Sequence, residues 1–152
     1  MARIVIASGL QQSTNPRVVK EAAALTESGH SVTVLSSLVN AELKDREDSF
    51  SGRGWRVVRM IDVTGPSPQE RLLWQFLRLR HRLGREAARR FEWQTPASLG
   101  YFSSLLLKTC RKLNADLYLC HTPEAAWAGT RLLREGRRVA FDFEDWYTRD
   151  LP

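Results

Sequence analysis

The residues of this chain that could do chemistry sit just after its apolar runs. ARIVIAS leads to Ser8 and Gly9, HSVTVLSS ends in Ser36 and Ser37, and WRVVRMID ends in Asp62. DLYLC is followed by His121 and Thr122, and RVAFDF leads to Asp142, Glu144 and Asp145. Between the first two runs lies a polar loop, GLQQSTN, that closes on Asn15-Pro16, a helix cap followed by proline at the first helical position. The free N–H groups and dipole of such a helix start favour an anion, and Arg17 at its second position adds a formal positive charge. The plainer reading is that Asn15 only caps and Arg17 is only solvated.

A nicotinamide dinucleotide needs glycines spaced G-x-G-x-x-G and an acid after the second strand, whereas this loop holds Gly9 alone and the second run ends in serines. A Walker loop is absent, and no phospho-acceptor aspartate follows the first run, which excludes a receiver-type site. Cys110 and Cys120 lack the spacing of zinc or redox pairs and read as reduced, partly buried thiols, so no metal ligands are assigned.

The elements that must position these residues alternate. Val18, Ala22 and Leu25 share one helical face ending at Gly29, so the first two strands flank a helix in a compact βαβ unit with a right-handed crossover. Residues 39–54 are charged and glycine-punctuated, and read as an exposed loop. A basic helix follows the GPSP turn, with Leu73, Phe76, Leu83, Ala87 and Phe91 on one side. A second helix is expected after Thr95-Pro96, with Leu99, Phe102, Leu106, Cys110 and Leu113 at helical spacing. Thr122-Pro123 opens a last helix ending at Gly136. This order predicts an α/β, Rossmann-like, doubly wound and mainly parallel sheet of about five or more strands, with helices on both faces. Ligands of such sheets gather at the carboxyl ends of the strands, where the residues above lie.

At 152 residues and 43% hydrophobic, the chain is expected to form one domain, residues 1–152, able to fold alone. It holds no apolar run of about 18 residues and no signal-like leader, so the default compartment is the cytoplasm. Of its formal charge of +6, the segment RLLWQFLRLRHRLGREAARRFE at 71–92 carries most, with seven arginines against two glutamates. The remainder is nearly neutral, which argues against an extended nucleic-acid groove.

NPRVVKEAAALTESGHSVTVLS resembles the first βαβ unit of GT-B glycosyltransferases of family four. ADLYLCHTPEAAWAG and VAFDFEDWYTRD resemble two later strand-to-helix segments of that family, "DxxxxHxPxxxxxG" and "YDxHE". The resemblance runs from Arg3 to Asp150, interrupted between about residues 39 and 114. It implies the acceptor-binding N-terminal half of a transferase that moves a sugar from a nucleotide-sugar donor to a saccharide or lipid-linked acceptor, with retention. The donor site and its E-x7-E signature belong to a second domain that this chain does not contain. The half alone is expected to be nearly inactive, with no tightly bound cofactor.

The resemblance places His121 in the cleft near the transferring sugar, as the catalytic candidate, and the segment from Gly9 to Arg17 near the donor phosphates. The family's Gly-Gly falls on Ser13 and Thr14, and its later histidine is Glu144. His121 could hydrogen-bond a sugar hydroxyl or be a structural histidine. Glu144 and Asp145 could accept from sugar hydroxyls, and Glu144 could act as a base in an inverting reaction. Trp146 and Tyr147 could face a sugar ring or belong to the core. In the family the basic helix often docks on anionic lipid, which makes Arg78, Arg82, Arg85 and Arg89 candidates to face the inner membrane surface. The competing class is a basic membrane- or nucleic-acid-binding module without catalysis.

Overall fold

A computed structural model describes residues 1–143. Five strands, β1 (Arg3–Ala7), β2 (Ser31–Leu38), β3 (Arg56–Asp62), β4 (Leu117–Cys120) and β5 (Val139–Phe141), form one sheet in the order β3-β2-β1-β4-β5. Every pairing is parallel. This is the α/β Rossmann-like sheet that the alternating apolar runs predict.

The central strand β1 is apolar on both faces, and each face has its own cover. Ile6 packs with Val18 and Ala22 of α1 (Pro16–Glu27), with Val34 and with Trp55. Val5 and Ala7 face the other way, onto Leu106 of α5 (Ser103–Lys112), Leu132 of α6 (Pro123–Arg134) and Tyr118. Burial of β1 on both sides is what a parallel sheet flanked by crossover helices requires.

Three details differ from the sequence reading. Within 39–54, where an exposed loop is expected, α2 (Lys44–Asp48) folds because Glu47 turns inward and is 1% exposed. The helix expected after Thr95 breaks into α4 (Pro96–Leu99) and α5, with Gly100 between them. A Cβ at Gly100 would collide with the carboxylate of Glu124, whose Oε2 accepts the Phe102 N–H at 2.7 Å. That inward carboxylate terminates the helix where periodicity alone would continue it.

The third difference lies in the basic helix, α3 (Pro68–Phe91). The apolar side that its spacing picks out faces solvent: Leu73, Phe76, Leu83 and Phe91 are all exposed. Trp74, Leu77 and Gly84 make the contact instead, with the Trp74 ring stacked 5.7 Å from Phe102. At Gly84 the helices approach so closely that a Cβ would lie 3.0 Å from Ala97. Two apolar stripes at helical spacing look alike in sequence, and close approach at glycine decides which one is buried.

Candidate functional site

The carboxyl edge of β1, β4 and β5 brings four charged or titratable side chains into one chain of contacts. His121 continues β4: its backbone N–H donates to Ala7 O at 3.1 Å, and the residue is only 2% exposed. Its Nε2 lies 2.8 Å from Glu21 Oε2 and its Nδ1 3.4 Å from Asp142 Oδ2. Asp142 in turn meets the Arg17 guanidinium at 3.2 and 3.4 Å. Asp142 is held by its own N–H, which donates to Cys120 O at 2.9 Å just past β5. Arg17 and Glu21, four residues apart on α1, stand on the same helical face and reach the cluster together.

Asn15, Arg17 and His121 are thus where the strand-end reading expects them. Glu21 has no role in the sequence reading, although its spacing from Arg17 is a signal that could have found it. Asp142 stands in the sequence reading as a strand-end acid without an assigned role. Glu144 and Asp145, like Trp146 and Tyr147, lie outside the described residues.

The loop from Gly9 to Asn15 is built to be rigid. Gly9 has φ +91°, and a Cβ there would strike the Glu124 carboxylate, so the position suits glycine on two counts. The Ser13 N–H donates to Glu47 Oε1 at 2.6 Å, and the N–H groups of Thr14 and Asn15 donate to Gln11 O and Gln12 O. Asn15 Oδ1 accepts from the N–H of Arg17 at 3.1 Å and of Val18 at 3.4 Å. The anion cradle considered for this helix start is therefore largely filled from within, since these backbone donors already have acceptors. The polar groups that the segment presents outward include Thr14 and the half-exposed side chain of Arg17, while Ser13 is buried.

Burial shapes the chemistry of the neighbours. It pushes the Glu124 carboxyl up to about 7, against the lowering effect of the Phe102 N–H. The same cause raises the Cys110 and Cys120 thiols to about 12, as expected for inert core cysteines. One ligand atom from each of Glu21, His121 and Asp142 falls within 4.8 Å of the others, a spacing that could hold a cation. Arg17 already brings positive charge to Asp142 at that place.

The candidate membrane-facing arginines lie elsewhere. Arg78, Arg82, Arg85 and Arg89 line an open groove of about 810 Å³ along α3, together with His81 and Tyr101. Arg89 is tied to Glu86 at 2.8 Å. Among the described residues no helix is long and apolar enough to cross a membrane.

No family model and no curated protein sequence matches this chain. Solved structures do. The chain is similar to the glycosyltransferase VinC in complex with dTDP, at 18% identity over 97% of this chain and 37% of that one, with a TM-score of 0.53. It is similar also to SsfS6, a glycosyltransferase of Streptomyces sp. SF2575 complexed with thymidine diphosphate, at 15% identity over 93% of this chain and 38% of that one, with a TM-score of 0.53. The fold is therefore glycosyltransferase-like, and the chain spans less than two-fifths of the length of those enzymes.

Proposed function

We propose that this chain supplies the acceptor-binding wall of a glycosyltransferase of GT-B, family-four type, acting in polysaccharide biosynthesis. The observation that carries the reading is the contact chain Arg17–Asp142–His121–Glu21, set at the carboxyl edge of a parallel sheet in a fold shared with glycosyltransferases. Sugars are bound through their hydroxyls, and an edge that sets the Arg17 guanidinium beside the Glu21 and Asp142 carboxylates offers both donors and acceptors for them. The nucleotide sugar sits on a second domain and meets this edge across a cleft. Arg17 approaches its phosphates in this reading, supported by its positive charge at the start of α1. The leaving diphosphate accepts the proton of the acceptor hydroxyl, so the transfer proceeds with retention.

The acceptor is a saccharide carried at an anionic membrane surface, where α3 docks. In favour of a membrane over nucleic acid, Leu72, Phe76, Leu79 and Leu83 are exposed beside the arginines, and an apolar stripe suits an acyl boundary. The test of the transferase reading is sugar transfer by the product of the whole gene, from a panel of nucleotide sugars to saccharide and lipid-linked acceptors. Transfer from at least one donor supports it; none from any donor, together with no saccharide binding by this chain, sinks it.

A further inference from the structure

We infer that Glu21 is the side chain of this edge that contacts the acceptor, and that His121 is a positioning residue acting through it. The inference rests on the acceptor-site reading above and names the group that would touch the sugar. The His121 side chain is 0% exposed, with one ring nitrogen facing Glu21 at 2.8 Å and the other facing Asp142 at 3.4 Å. An imidazole enclosed in this way has no free edge to offer a ligand. Glu21 is different: its side chain is 34% exposed, although its Oε2 is sealed from water against the imidazole. One oxygen is thus buried against the ring while the remainder of the side chain is partly exposed at the carboxyl edge of the sheet.

Such an arrangement costs the carboxylate part of its rotamer freedom before a ligand arrives. A hydrogen bond from a sugar hydroxyl to the other carboxylate oxygen then requires little further ordering. Asp142 cannot serve equally, because Arg17 already occupies it at 3.2 and 3.4 Å and its side chain is less exposed, at 23%. Arg17 flanks the same face one helical turn earlier, giving a ligand one donor and one acceptor on the same side of α1. The ligand class that fits is a neutral polyol, a sugar with free hydroxyls.

The test is a titration of this chain with a panel of neutral methyl glycosides, followed by amide NMR. We expect shifts at Arg17, Glu21 and His121. Glu21→Gln should weaken binding at least tenfold with the remaining spectrum intact, because an amide replaces one acceptor by a donor. His121→Ala should weaken it similarly, whereas His121→Gln, which keeps an N–H near the Nε2 position, should stay within about threefold of the parent. A purely structural histidine would not show that rescue at equal thermal stability. Edge shifts whose affinity is unchanged in Glu21→Gln overturn this inference and leave the transferase reading standing. No shift with any glycoside overturns the inference, and the transferase reading then falls or stands on the transfer assay.

Discussion

The carboxylate of Glu47 accepts the backbone N–H of Ser13 at 2.6 Å and the hydroxyl of Ser36 at 3.2 Å, joining α2 to the loop at the head of the candidate site. It does so while 1% exposed, so removing it strands two donors in the interior. Glu47→Ala should cost about 2–3 kcal/mol, the range for deleting a charged partner of buried groups. Urea unfolding followed by tryptophan fluorescence measures it. A change below about 0.5 kcal/mol would mean that water replaces the carboxylate.

Glu124 makes stability depend on pH. Its carboxyl is raised to about 7 in the folded chain, by burial, from an ordinary value of 4.5. Below about 4.5 the group is protonated in both states and contributes no slope. Between there and about 7 the unfolded chain ionises while the folded chain keeps its proton, so the contribution falls as pH rises. The loss is on the order of 3 kcal/mol and levels off above the folded value. Glu124→Gln should remove this component, and comparison of urea midpoints at pH 5 and pH 8 reveals it. A parent and variant with equal pH dependence would contradict the assignment.

Gly100→Ala tests the same carboxylate sterically. The new Cβ would meet the Glu124 carboxyl group, so the single variant should lose about 1–3 kcal/mol, as overpacked sites do. Gly100 is in extended backbone, φ 171°, so the cost lies in the contact and not in the dihedral. Combining it with Glu124→Ala should therefore recover much of the loss, a coupling that a double-mutant cycle isolates. Additive losses would show that the collision is relieved elsewhere.

The arginine groove separates a membrane surface from a merely solvated face. Reversing Arg78, Arg82 and Arg85 to glutamate should abolish sedimentation with vesicles containing anionic phospholipid, since each basic residue near such a surface contributes roughly 1 kcal/mol. Circular dichroism should remain unchanged, because these side chains line an open groove. Equal, salt-insensitive sedimentation of parent and variant would remove the membrane proposal; tight binding to RNA instead would favour the nucleic-acid alternative.

Cys110 and Cys120 should resist a thiol reagent at pH 8 in the folded chain and react together on unfolding. Both are buried, and burial drives their thiols to about 12. Stoichiometric labelling under native conditions would contradict the packing of β4 and α5.

Much of this protein was determined by local sequence. Apolar runs with intervening helix caps specify strands and crossovers through short-range periodicity, so the parallel sheet and its carboxyl edge could be read from ARIVIAS, HSVTVLSS, WRVVRMID and DLYLC. The cap at Asn15 and the strand-end position of His121 are local in the same sense. What only tertiary structure decided are pairings between distant positions. Glu47 turning in to Ser13, Glu124 breaking the helix at Gly100, and α3 burying Trp74 and Leu77 rather than Phe76 and Leu83 each depend on a partner remote in the chain. Glu21 belongs with them: its place on α1 is legible from Arg17, but its role appears only when β4 brings His121 to within 2.8 Å. Periodicity sets which way a residue can face, and packing at close approach chooses what it meets.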